Sequence, residues 1–324
     1  MVLILKILLS NFAELLAMTA STPTKETDFR SKLVNGILSV RPIANFAKSR
    51  ARNMMITRAE KLGVPWRKTV AELQQRNWQP DLEKITNSDL EYPDYYTTSF
   101  HAYDEGNLGW EPALEVECAS KAVHSTLFGE PTVEGDRLLR ESYHNILKAQ
   151  LPKSPESIVD IGCGAGLSTE ALQDLFPEAQ VTGVDLSPYF LAVANYRTTE
   201  KKDQLSWLHA AGEATTLPDN SVDLVSCSLV FHELPQSAAI AIFKEAKRIL
   251  RPGGHFAMMD MNPQAEVYRT MKPYILTLLK STEPYLDQYF ALDVGAELVK
   301  AGFNAPYLEE NTVRHRTVIA QVKD

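Results

Sequence analysis

The stretch from Ser157 to Pro188 constrains most strongly what this 324-residue chain can fold into. It opens with a short apolar run, Ile158-Val159-Asp160-Ile161, of the length and character of a buried strand. The run breaks into Gly162-Cys163-Gly164-Ala165-Gly166, and Leu167 to Leu172 then reads as the start of a helix. A second strand, Gln180-Val181-Thr182-Gly183-Val184-Asp185, ends on an acid 23 residues after the first glycine. Strand, glycine-rich turn, helix and acid-terminated strand make a βαβ unit built for a nucleotide. Glycines suit the turn because the backbone must bend sharply and approach a ligand with no Cβ in the way. The Asp185 carboxylate is placed to accept from the two hydroxyls of a ribose.

The spacing here is G-x-G-x-G rather than the dinucleotide G-x-G-x-x-G, and Asp160 precedes it inside the strand. An acid there sits badly beside a pyrophosphate and well beside an ammonium group. The D-x-G-x-G-x-G run resembles the first motif of class I S-adenosylmethionine (SAM)-dependent methyltransferases. Further landmarks carry the resemblance. Gly212-Glu213-Ala214, ahead of Leu217 to Val225, is similar to the segment that reaches the adenine in that family, with Glu213 where Asp is usual. Phe243 to Gly254 resembles its helix-to-strand joint, with Gly253-Gly254 making the turn. The resemblance runs from about Glu156 to Met261, extends loosely to the C-terminal hairpin, and is nearest the ubiquinone- and menaquinone-biosynthesis branch. It implies SAM as cofactor, held by Asp160, Gly162, Cys163, Gly164, Gly166, Asp185, Leu186, Glu213, Ala214 and Ser228. It also implies methyl transfer to a small acceptor. Two rivals stand beside it: a SAM-binding regulatory or scaffold protein without chemistry, and another SAM-fold transferase.

Catalytic candidates follow from the same comparison. Ser226 to Pro235 lies at the carboxyl end of the fourth strand, where open parallel sheets bind ligands. His232 matches the family position facing the methyl group and is the candidate base; Glu233 either orients it or caps the next helix. His101 and Tyr103 are alternatives. A nucleic-acid acceptor is disfavoured, because Ser-Leu-Val-Phe-His stands where an Asn/Asp-Pro-Pro-aromatic motif belongs.

The reading of the whole chain is α/β: a Rossmann-like class I methyltransferase sheet, mostly parallel with a C-terminal antiparallel hairpin, behind a helical N-terminal extension. Strands are expected near 157–161, 180–185, 205–209, 222–228 and 254–261, then at 305–310 and 312–321. Residues 1–27 form an apolar or disordered N-terminus, 28–155 a helical region and 156–324 the SAM-dependent domain. Within the helical region, breaks are expected at Pro42 and at Gly63-Val64-Pro65, and helices at 111–126 and 133–149. Residues 92–110 combine Tyr92, Tyr95, Tyr96, Phe100, Tyr103 and Trp110 with glycines and charges, the composition of an aromatic lid or a docking segment. Residues 262–290, rich in tyrosine and leucine, read equally as an apolar wall for a hydrophobic or aromatic acceptor and as core.

Three scattered cysteines without a C-x-x-C pair argue against a disulfide framework or a zinc site, hence a reducing, cytoplasmic setting and no metal. The net charge of −8 is uneven: residues 25–68 carry +8 and residues 69–324 carry −16. The acidic body is unsuited to tracking a phosphate backbone. Met1–Met18 is apolar but broken by Lys6, Asn11 and Glu14; it is an amphipathic surface helix, or else the chain starts naturally at Met18. Residues 1–68 therefore read as a peripheral membrane contact, with a solvated helical face as the alternative. If the basic segment binds an anionic surface, sedimentation with acidic vesicles at low ionic strength will carry the protein down, and added salt will release it. Protein that stays in solution throughout ends the membrane reading.

Overall fold

The computed structural model describes residues 41–98, 103, 105–201 and 203–323. The expected segment 1–27, the start of the helical region and His101 lie outside the described residues. The first helix of the described residues, α1 (Arg41–Lys61), carries Pro42 at its second position. Proline is tolerated in a first turn because the N–H it lacks has no intrahelical partner there. The expected break at Pro42 is thus a helix start. Gly63, with φ 90°, does end the helix, and Pro65 precedes α2 (Trp66–Gln74). After α3 (Gln79–Ile85) and the tyrosine-rich segment come α4 (Trp110–His124) and α5 (Gly135–Gln150).

Part of the positive charge of residues 25–68 is spent inside this helical region. Arg52 pairs with Glu115 and Glu111 on α4, and Arg67 pairs with Glu60. Glu115 is almost fully buried, so Arg52 compensates a carboxylate that would otherwise be desolvated alone.

From Ser157 onward strands and helices alternate. The strands are β1 (Ser157–Ile161), β2 (Gln180–Asp185), β3 (Leu205–His209), β4 (Val222–Ser228) and β5 (Leu250–Met261). The hairpin β6 (Tyr307–Glu310) and β7 (His315–Gln321) closes the chain. They form one seven-stranded sheet in the order β3-β2-β1-β4-β5-β7-β6, with β1 to β5 parallel and β7 antiparallel to its neighbours. Strand β5 begins at Leu250, earlier than expected. The β4–β5 register shifts between Val222 and Leu224, so residues 251–254 bulge out, and Gly253 takes φ 75° to let them.

The two faces of the sheet are covered by different helices because strand residues alternate in direction. Ile158, Leu224 and Ala257 pack with Leu139 and Leu147 of α5 and with Leu172 of α6 (Leu167–Leu175). Their chain neighbours Val159, Val225 and Met258 pack on the other face, with Phe243 and Ile249 of α8 (Gln236–Ile249). Between β2 and β3, α7 (Pro188–Arg197) is capped by Ser187, whose Oγ accepts from the Phe190 amide at 3.3 Å. The stretch after β5 folds into α9 (Glu266–Arg269), α10 (Pro273–Thr282), α11 (Leu286–Phe290) and α12 (Val294–Ala301). Tyr268 and Tyr289 in it are core, and the Tyr289 hydroxyl donates to the Met261 carbonyl at 2.7 Å. Tyr285 instead meets Tyr95 edge-on, with ring centroids 6.5 Å apart.

Phe256 sits at the centre of an aromatic cluster with Phe231, Phe243 and Phe303, at centroid distances of 6.1, 5.4 and 6.0 Å. Phe256→Ala should cost about 3–5 kcal/mol of unfolding free energy, read as a lower urea midpoint. A midpoint that does not move would contradict the packing described.

Candidate active site

Strand order reverses between β1 and β4, so the carboxyl ends of β1, β2, β4 and β5 open onto one crevice. The glycine-rich turn lies at the end of β1. Gly162 and Cys163 both donate their amides to the Val184 carbonyl, at 2.8 and 3.2 Å, which ties the turn to β2. Gly162 (φ 71°) is required by Val230: a Cβ there would lie 2.5 Å from the Val230 side chain. Gly164 (φ 52°) differs, since a Cβ there would meet only Phe190 at 3.9 Å. It is the point of the turn where a ligand can approach the backbone. Gly166 caps α6 beneath Trp207, and the Cys163 thiol is buried under the turn.

Asp185 ends β2, with Oδ2 accepting from the Gly164 amide and Oδ1 from the Ser187 amide, both at 2.8 Å. Burial raises its pKa, and these two amides oppose the rise. A carboxylate offers about four acceptor positions, so Asp185 keeps one more on Oδ2, while the second position on Oδ1 takes the Tyr96 hydroxyl at 3.4 Å. Leu186, buried beside it, gives its carbonyl to His209 Nε2 at 2.9 Å. Asp160, fully buried in β1, accepts from the Ser168 and Thr169 hydroxyls on Oδ2, at 2.6 and 2.7 Å. Its Oδ1 has no hydrogen-bond partner, and burial pushes the carboxyl up to about 6. Glu213, next to the Ala211–Ala214 bridge, accepts the Tyr95 hydroxyl on both oxygens at 2.8 and 3.0 Å.

Ser228 is the last residue of β4, and Leu229 (φ 60°) turns the chain into a single 3-10 turn, Phe231–Glu233. His232 in that turn faces Asp260 near the end of β5, with Nδ1 and Oδ1 2.7 Å apart. The other Asp260 oxygen accepts from the amides of Phe231 (2.8 Å) and His232 (3.3 Å), and Oδ1 also takes the Met261 amide at 2.7 Å. Asp260 thus anchors the turn to β5 and holds the imidazole in one orientation. Burial alone would depress the His232 pKa. The adjacent Asp260 carboxylate overrides burial and, with Glu283 and Glu233 adding to it, lifts His232 to about 10. Asp260 itself is held below the usual carboxylate range by His232 and the surrounding amides, against its own burial. Glu233 Oε1 lies 4.0 Å from His232 Nε2, a neighbour of the imidazole rather than the group that orients it.

Tyr103 does not join this group: its hydroxyl donates to Glu115 on α4 at 2.7 Å, beside Arg52. In the segment read as a lid or a docking segment, Tyr92, Tyr95 and Tyr96 are the residues that lie against the crevice. Tyr96 donates to Asp185 Oδ1 at 3.4 Å, and Tyr92 lies 3.3 Å from His209 Nε2. His209 ends β3, opposite Asp185 in register, and also accepts the Asn87 amide on Nδ1 at 2.9 Å. Asp260 and His209 were not singled out from sequence. Asp260 carried one signal, an acid inside the apolar run Met258-Met259-Asp260-Met261. Among the described residues, no group of three His, Cys, Asp or Glu is placed to hold a metal ion. Nor is any helix there long and apolar enough to cross a membrane.

Residues 159–258 match the methyltransferase domain family. Over 157 residues the chain is 30% identical to a ubiquinone biosynthesis O-methyltransferase of Cupriavidus pinatubonensis, covering 45% of this chain and 61% of the relative. Over 160 residues it is 36% identical to a malonyl-[acyl-carrier protein] O-methyltransferase of Hahella chejuensis, covering 49% and 52%. The match therefore spans between about half and two thirds of those relatives' lengths. Among solved structures, a SAM-dependent methyltransferase of Aquifex aeolicus aligns at a TM-score of 0.46 with 22% identity, covering 56% of this chain and 92% of the other.

If Asp185 accepts from two ligand hydroxyls, Asp185→Ala leaves them unpaired in a largely buried site. It should weaken SAM binding about 10–150-fold, equivalent to about 1.5–3 kcal/mol. Calorimetry on the folded variant checks this; unchanged affinity removes Asp185 from the site.

Proposed function

We propose that this chain, whose residues 159–258 are a class I SAM-dependent methyltransferase domain, transfers a methyl group by in-line displacement to an oxygen of a small hydrophobic or aromatic molecule. When bound, SAM supplies a methyl group already activated by a positively charged sulfur. The residues present fit it. Asp185 offers ribose hydroxyls a position on Oδ2 and the Oδ1 position that Tyr96 holds at 3.4 Å, and Glu213 can take the adenine amine. Asp160 Oδ1, buried without a donor, suits an ammonium group, and Gly164 leaves the approach open. Cys163, Leu186, Ala214 and Ser228 shape the walls around these groups.

With the methyl already activated, alignment is the main task left to the protein, and it is worth about 7–11 kcal/mol. His232, at the carboxyl end of β4, is the group that takes the acceptor proton. The observation carrying this reading is its 2.7 Å contact with the buried Asp260. Nδ1 faces the carboxylate, so Nε2 is the nitrogen left to receive a proton. That proton would then rest on an imidazolium already stabilised by Asp260. Both named relatives are O-methyltransferases, which supports oxygen as the acceptor atom. Tyr95 and Tyr285 offer aromatic surface beside Glu213, in keeping with an apolar substrate.

A His232 pKa near 10 has a definite consequence for the pH profile. The free protein holds the imidazole charged at neutral pH, and a base must first lose that proton. Turnover should therefore rise with pH well beyond 6.5, the value for an unperturbed histidine. The same shift makes the charged pair stabilise the fold fully below the unfolded pKa and progressively less as pH climbs through about 10. Release of S-adenosylhomocysteine from SAM, measured across a panel of phenols and carboxylic acids, tests the activity. His232→Ala should keep cofactor affinity and lose roughly 10²–10⁴-fold in turnover. Asp260→Asn should slow the reaction and bring the acid limb down toward 6.5. Full turnover in His232→Ala, with an unaltered profile, would refute the base role. Cofactor binding without product from any acceptor would point to a silent SAM-binding protein.

A further inference from the structure

We propose that Tyr95 and Tyr96 form a latch over the nucleotide site: their hydroxyls hold the carboxylate positions that an adenosine-containing ligand must take. The proposal rests on the SAM reading for the identity of that ligand. Its structural half stands on the contacts alone.

Tyr96 and Tyr95 are neighbours in a short turn, closed by the Tyr96 amide donating to the Pro93 carbonyl at 2.9 Å. Their hydroxyls go to two different carboxylates, each expected to hold one end of a nucleoside. Tyr96 donates to Asp185 Oδ1, and Tyr95 bridges both oxygens of Glu213. The Ser187 amide already takes one position on Asp185 Oδ1, so Tyr96 sits on the position left for a ligand hydroxyl there. Its bond, at 3.4 Å, is longer than an ordinary O–H···O contact and so easily exchanged for a shorter one. A phenol hydroxyl and a sugar hydroxyl are both neutral donors, so the exchange makes one bond for each one broken. Ligand affinity is lowered by what the latch gives up.

The segment is tethered where it enters the site. His209 accepts the Asn87 amide on Nδ1 and donates from Nε2 to the Leu186 carbonyl, and Tyr92 packs on its ring at 6.0 Å. The lid can therefore lift its tip while its base stays fixed beside β2 and β3. Burial and the facing carboxylates raise the pKa of both tyrosines, so their hydroxyls stay protonated donors across the working pH range. The tip also touches the acceptor side, since Tyr95 packs edge-on against Tyr285. Displacement of the latch by cofactor would thus loosen the cover over the acceptor side as well.

The test uses the full chain with both tyrosines changed, Tyr95→Phe and Tyr96→Phe, which keeps the rings and removes the two donors. S-adenosylhomocysteine should bind the double variant about 3–10-fold more tightly than the unaltered protein, the range expected when competing hydrogen bonds are removed. In the absence of ligand, amide hydrogen exchange over residues 92–98 should be faster in the variant. In the unaltered protein, S-adenosylhomocysteine should speed exchange over the same residues. Equal or weaker binding by the variant overturns the latch and makes the tyrosines part of the cofactor's own contacts or bystanders. If neither protein binds S-adenosylhomocysteine, the cofactor reading falls. Ligand-free exchange then decides the latch alone: faster exchange in the variant supports it, and unchanged exchange refutes it.

Discussion

The turn after β1 is the constraint on which the rest of the site depends. Two amides of the turn clamp onto the Val184 carbonyl, and a third, from Gly164, clamps onto Asp185. Three backbone donors thus fix where β2 ends and how its terminal carboxylate points. The geometry exists only because the loop after β4 can lean on a residue without a side chain, Gly162 against Val230. Strand β4 is thereby brought in at the distance that puts His232 over the same crevice. A change in the turn is felt at both ends of the crevice, Asp185 on one side and the His232 imidazole on the other.

Buried acids recur along the inner edge of this crevice, and each is compensated differently. Asp160 takes two hydroxyls from the first turn of α6, Asp185 takes two backbone amides and the Tyr96 hydroxyl, and Asp260 takes three amides and an imidazole. A desolvated carboxylate is costly unless its acceptor positions are filled. Asp260 takes four donors, the most of the three. Asp160 keeps Oδ1 without a hydrogen-bond partner, and Asp185 keeps a position on Oδ2.

Much of the fold was legible because the chain writes it in short-range patterns. Apolar runs such as Ile158–Ile161 and Val222–Val225 give buried parallel strands, and the alternation of strand and helix gives the layering. The reading erred at the bulged start of β5. Asp185 and the glycines were legible for the same local reason: turn, helix and acid lie within one βαβ unit. The partners that set the chemistry were not. His232 and Asp260 are 28 residues apart, Tyr95 and Glu213 118, and Asn87 and His209 122. Such pairs are made by strand order, which brings β4 beside β5 and drapes the segment before α4 across the ends of β2 and β3. Composition could mark residues 92–110 as an aromatic lid, but not that Tyr96 would meet Asp185 while Tyr103 turned away to Glu115.

The account comes down to which groups a nucleoside ligand meets, and a crystal structure of the full chain with S-adenosylhomocysteine measures that directly. The ribose hydroxyls should lie within hydrogen-bond distance of Asp185, the adenine amine at Glu213 and the amino-acid ammonium nearest Asp160, with the Tyr96 hydroxyl displaced from Oδ1. His232 should remain on Asp260, with its Nε2 turned toward the sulfur. A complex in which the ligand sits elsewhere, with Tyr95 and Tyr96 still on the two carboxylates, would contradict the site described.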